Sequence, residues 1–282
     1  YNMRFKLNNL DLGLGTKYHI QAPVQGLDQA PIRMGYGDWS GRDGGYVSSQ
    51  FFSARTIVLQ GFYIGETCEE ADDLRYQLAQ SLQIRQSLPL FIESFSGKHY
   101  FAQTYIKDFK MDITAPKSGR YQITLISPDP YLYDAGDGSN PDSGWINLPV
   151  YKLIGGGYIT QYDMPVQWTP GTTPTVAVNT GDVTIFPQFK IVGKVQNPRI
   201  TNYSANKFVQ VNITATSDTD EIVIDMGQRT ITLNGANILA YRTDDSTWWG
   251  LEPGNNTIEF ISDGPTDVNF GTLRWRTAYL GV

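Results

Sequence analysis

The chain has 282 residues, a formal net charge of −6 and one cysteine, Cys68, which is room for two domains of ordinary size and no possibility of an internal disulfide. The excess of acid excludes a protein whose main affinity comes from gripping phosphates, although an acidic wall lets DNA slide past without sticking. Seventeen Tyr, 13 Phe and 6 Trp beside 28 Gly and 15 Pro favour strands and turns over helices.

In chain order, Met3 to Leu10 reads as a first strand and turn, and Gly35 to Gly45 (GYGDWSGRDGG) is glycine-rich enough for a long flexible loop or arm. Arg55 to Tyr63 is a strand dense in β-branched residues. The one clear helix spans about Thr67 to Gln86. Thr67 and Glu70 form a capping box, each side chain meeting the other's free N–H, and Glu69, Glu70, Asp72 and Asp73 suit the helix dipole. Ala71, Leu74, Leu78 and Leu82 share a face that should pack on a sheet. Three strands follow, LPLFIESF, HYFAQTYIKDF (running on towards Thr114) and RYQITLIS, turned at Ser96–Lys98 and Ala115–Gly119. Strand, helix and antiparallel meander together make a small α+β domain over residues 1–133.

Pro, Gly, Asp and Ser crowd between Ser127 and Gly144, which marks a linker at 134–144. Residues 145–282 hold β sequence without a credible helix, with turns at Gly155–Gly157 and Thr169–Pro174. From Pro187 to Phe260 the period-two alternation is clearest, each run closed by Gly, Asn-Pro or Pro-Gly-Asn-Asn, as in a β-sandwich. The fold class is therefore mainly β.

Few residues are arranged for chemistry. His19 and His99 have no partner at metal-ligand spacing, and one cysteine cannot build a Cys/His zinc site. The hydrolase elbow, the P-loop and the dinucleotide fingerprint all fail on spacing, so no catalytic residue and no cofactor is expected. Asp134, Asp137, Asn140 and Asp142 could furnish calcium oxygens but miss the EF-hand spacing, and such residues commonly form linkers. Trp248 and Trp249 beside Asp244 and Asp245 fit a carbohydrate contact, aromatic faces stacking on sugar while carboxylates hold hydroxyls. Alternation sends one tryptophan of the pair into the core instead, and the two aspartates also fit a solvated turn. Arg55, Arg75 and Arg85 read as solvated arginines, with a channel or an interface as the other option.

Taken together, the two halves resemble the distal tail protein family of long non-contractile-tailed bacteriophages. In the first half the resemblance rests on Arg55, Ile57, Leu59, Gly61 and Gly65, the capped helix, the meander and Asp129–Tyr133. In the second it rests on FPQFKIVG, NPRI, IVIDMGQRTITLNG and WWGLEPGNNTIEF. It implies a structural, non-enzymatic protein of the virion, at the phage tail tip and assembled in the host cytoplasm. The N-terminal domain, a sheet or split barrel with one helix, would close a ring, usually a hexamer, around a channel through which DNA passes without specific binding. The ring would join the tail tube protein to tail-associated lysin, fibre or receptor-binding proteins, away from any membrane. The C-terminal domain would be a jelly roll of galectin or carbohydrate-module type. The alternative is a carbohydrate-binding module that recognises host cell-wall polysaccharide.

Overall fold

Alternation in Arg55–Ile64 becomes a strand whose odd-numbered residues face a core, Ile57, Leu59 and Tyr63 all being buried. In the computed structural model, which describes residues 3–82, 84–138, 140, 142–153, 157–159, 167–169, 173–263 and 268–282, this strand lies in a nine-stranded antiparallel sheet. Its main path runs Leu10–Gly13, Arg4–Leu7, Leu88–Glu93, His99–Ala115, Ser118–Ser127, Arg55–Ile64, Tyr18–Ile20. The long strand His99–Ala115 pairs with Leu88–Glu93 through Thr104 and with Ser118–Ser127 from Tyr105 onward. One strand thus serves two neighbours in succession, and the meander expected from the sequence is present.

The glycines of the RxIxLxGxxxG pattern are fixed by close approach. A Cβ on Gly61 would sit 1.9 Å from the His19 carbonyl oxygen, and one on Gly65 would sit 2.7 Å from the Ala71 nitrogen at the start of the helix. Any side chain there would push the edge strand or the helix off the sheet.

Helix α1 (Cys68–Ser81) begins at the predicted Thr67 cap, but the returning bond from Glu70 reaches one residue further back than expected. Thr67 Oγ1 accepts from the Glu70 N–H at 3.1 Å, while the Glu70 carboxylate accepts from the Glu66 N–H at 2.6 Å. Its end comes earlier than predicted, at Ser81 rather than near Gln86. Arg85 adopts a left-handed φ of 68°, and the next strand starts at Leu88, so the intervening residues must reverse the chain. Ala71, Leu74, Leu78 and Leu82 pack into the core with Phe5, Leu7, Leu90 and Leu125. The Tyr18 hydroxyl donates to the Leu74 carbonyl at 2.8 Å, and burial pushes its pKa up to about 12.

Lys17 forms an ion pair with Glu70. Lys17 first, then the Glu66 and Thr67 N–H groups, hold the Glu70 carboxyl below the ordinary carboxylate range, and Glu70 in turn raises the Lys17 ammonium. A lowered folded-state pKa stabilises above the unfolded value, and the gain vanishes as pH falls through the folded one. Glu70→Gln is therefore expected to be less stable than the parent at neutral pH and equal to it in strong acid. Thermal melts of both proteins across that range check this.

The chain divides into one unit of Tyr1–Gly144 with Ala278–Val282 and a second of Trp145–Thr277. The strand Ala278–Tyr279 pairs with Leu132–Asp134, and the Val282 N–H donates to the Leu27 carbonyl at 2.9 Å. The last five residues therefore complete the first unit, where the sequence reading ran the second domain to Val282.

The second unit is a sandwich. One sheet has the order Trp145–Tyr151, Phe270–Arg276, Gln188–Val192, Glu221–Asp225, Thr230–Leu233, Ala236–Asn237; the other runs Thr175–Asn179, Gly254–Asp263, Val195–Asn202, Lys207–Gln210. Phe189 from the first meets Phe260 from the second with ring centroids 5.3 Å apart, amid buried Ile191, Ile200, Ile224 and Leu273. The Pro-Gly-Asn-Asn turn is held by Asn256, whose side-chain nitrogen donates to the Glu252 and Gly254 carbonyls while its oxygen accepts from the Glu252 N–H. Gly254 there has a φ of 97°. The glycine- and proline-rich turns expected at Gly155–Gly157 and Thr169–Pro174 fall largely outside the described residues.

Candidate assembly and ligand surfaces

Three features of the surface and core lie beyond ordinary packing. The first is a hairpin, Ile32–Asp38 paired with Gly45–Phe52, which forms a two-stranded sheet by itself. The sequence reading placed a flexible loop or arm at Gly35–Gly45; the arm is there, but as strands around a tight turn. The Trp39 N–H donates to the Gly44 carbonyl at 3.0 Å, Arg42 lies 4.1 Å from the Trp39 ring and Tyr46 packs beside it at 5.2 Å. Ile32, Met34, Tyr36, Val47 and Phe51 are all exposed, Tyr36 at 78%. A two-stranded ribbon is marginal in water, and one bearing apolar side chains on both faces is a surface built to be covered.

The second is Arg55, which the sequence reading took for a solvated residue. It is 1% exposed. Its Nε donates to the Pro130 carbonyl at 2.9 Å, Nη1 to the Gly26 carbonyl at 2.8 Å and also to that of Asp28, and Nη2 to the Leu280 carbonyl at 2.6 Å. Burial lowers its pKa, with Asp28 and Asp129 opposing that shift. The signal was in the register: Arg55 shares its face with Ile57 and Leu59, so period two already turned it inward.

The third is the tryptophan pair. Trp249 is 1% exposed and its indole N–H has no partner among the described residues, which removes it as a sugar contact. Trp248 is half-buried, with the Arg242 guanidinium 6.0 Å from its ring, and Asp244 and Asp245 are exposed nearby in sequence. The linker acids behave as turn formers: Asp134 accepts from the Gly136 N–H at 2.7 Å and Asn140 from the Asp142 N–H at 2.8 Å. Among the described residues no three His, Cys, Asp or Glu side chains group to hold a metal ion. His19 stacks on Phe62 at 4.9 Å, and His99 lines a cleft of about 340 Å³ with Arg4, Lys6, Asp11 and Glu93. No described helix is long and apolar enough to cross a membrane.

Residues 180–279 match the family model described as the siphovirus-type tail component, C-terminal domain. Over that stretch the chain resembles the C-terminal domain of a phage tail component. Its fold is shared along its whole length with the SPP1 Dit (gp 19.1) protein, at 16% identity over 99% of each chain and a TM-score of 0.69. A chain of the phage P2 baseplate in its activated conformation with Ca is 11% identical over 97% of this chain and 98% of that one, with a TM-score of 0.48, too loose a likeness to bear on the fold. No curated protein matches significantly. The chain is thus of mainly β fold, as the resemblance implied.

Proposed function

We propose that this chain is a non-enzymatic hub at the distal end of a phage tail, six copies closing a ring through their first units. The ring joins the tail tube protein to lysin, fibre or receptor-binding proteins and leaves a channel for DNA, which passes without specific binding. The observation that carries the reading is the free hairpin at Ile32–Phe52, whose apolar side chains have no cover within their own unit. Support also comes from the fold shared with SPP1 Dit, described as a paradigm of hub adsorption apparatus in Gram-positive infecting phages. Closed rings also remove the liability of unpaired strand edges. Negative-stain images of the purified protein are expected to show six-fold rings with a central hole. A monomer at every concentration by light scattering would sink the proposal.

The second reading is recognition of host wall polysaccharide by the second unit. Trp248, half-open beside Arg242 with Asp244 and Asp245 close in sequence, favours it.

A further inference from the structure

The long strand His99–Ala115 changes partners at its middle, and that leaves an edge. From Tyr105 onward it pairs with Ser118–Ser127 on one side, while on the other side no strand pairs with it among the described residues. Every second N–H and C=O along this half therefore points away from the sheet. Register shifts between Ile106 and Asp108 and between Ile113 and Ala115 interrupt the ladder near both ends, and Asp108–Ile113 between them stays regular. The core also stops short here. Phe109 and Met111 are only partly buried against it, and Ile113 is 66% exposed.

The hairpin strand Ile32–Asp38 has the matching defect. It pairs only with Gly45–Phe52, so its outer side is open as well. Charge sets how the two edges can meet. Arg33 and Asp38 on the hairpin, and Lys107 and Asp112 on the sheet edge, have no ion pair among the described residues, whereas Lys110 and Asp108 already pair at 3.6 Å. One antiparallel alignment brings Arg33 opposite Asp112 and Asp38 opposite Lys107. No parallel alignment gives both hairpin charges an opposite partner on this edge.

The same alignment sets Ile32 opposite Ile113, Met34 opposite Met111 and Tyr36 opposite Phe109. Residues directly opposite share a face, so three exposed apolar side chains of the hairpin would extend the row at the margin of the core. Gly35 and Gly37 come opposite Lys110 and Asp108, where they leave the charged side chains room.

We propose that Ile32–Asp38 of one copy adds as an antiparallel strand to the Tyr105–Ala115 edge of the next copy, with Met34 opposite Met111. Donor strand and acceptor edge are different surfaces of the same unit, so copies join head to tail, the arrangement that closes a ring. The contact rests on the ring proposed above and names its two sides.

Two single-cysteine variants test it, Met34→Cys and Met111→Cys, each carrying Cys68→Ser so that no other thiol is present, and co-expressed as full chains. Opposite residues of an antiparallel pair lie within disulfide reach. Mild oxidation is expected to give a disulfide-linked dimer on a non-reducing gel, absent from either variant alone. A dimer that forms only when Phe109→Cys or Ile113→Cys replaces Met111→Cys would overturn the alignment. Rings in the microscope with none of these dimers would overturn the contact and leave the hub reading standing. No rings from the parent chain would overturn both. Charge gives a second measurement without cysteines: Asp112→Arg should weaken ring assembly in a dilution series by about tenfold, and adding Arg33→Asp to the same chain should restore it. Without that rescue the alignment is wrong.

Discussion

Replacing Arg55 with methionine is expected to destabilise the first unit by about 3–5 kcal/mol, a drop in its unfolding midpoint of about 10 °C. The side chain is buried and donates to four carbonyls, of Gly26, Asp28, Pro130 and Leu280. These belong to three segments far apart in sequence: the approach to the hairpin, the chain leaving Ser118–Ser127, and the C-terminal tail. Methionine fills much of the space but donates to none of them, so each carbonyl loses the partner that the buried guanidinium gave it. Arg55→Lys should recover only part of the loss, because an ammonium cannot reproduce the planar fork that reaches four acceptors at once. Calorimetry measures the midpoint, and limited proteolysis should release the residues after Thr277 faster in the methionine variant. A midpoint within about 2 °C of the parent would mean that the carbonyls do not depend on this guanidinium.

Replacing Tyr36, Val47 and Phe51 together with serine is expected to leave the monomer's melting unchanged within about 0.5 kcal/mol, as for surface substitutions generally. Ring assembly should be lost. All three side chains are exposed in the single chain, so their removal costs the monomer little. If the hairpin clasps a neighbouring copy, each side chain covered there contributes about 1.5–3 kcal/mol to the contact. Losing three of them shifts each contact's dissociation constant by three orders of magnitude or more. Light scattering across a dilution series reads this directly. Rings that persist in the triple variant would place the ring contact elsewhere in the first unit and leave the hairpin for another tail protein.

Much of this could be read from the chain. The meander, the sandwich and the cap at Thr67 follow from short-range chemistry: period-two alternation, a capping threonine, and turns at Asn-Pro and Pro-Gly-Asn-Asn. The helix end was misjudged by several residues because its periodicity runs on past Ser81, while the strand waiting at Leu88 decides where the chain must turn back. The hairpin at Ile32–Phe52 was hidden by its glycines, which signal a loop when counted but pair as strands once Trp39–Gly44 closes the turn.

The sequence alone therefore determined the mainly β class and the helix that starts at the Thr67 cap, because each depends on neighbours within a few residues. Only the tertiary structure decided that Arg55 is a buried tie rather than a solvated charge, and that the last strand returns to the first unit. It also buried Trp249. Those outcomes depend on strand order and on which carbonyls and side chains arrive from distant segments, and no local pattern encodes that.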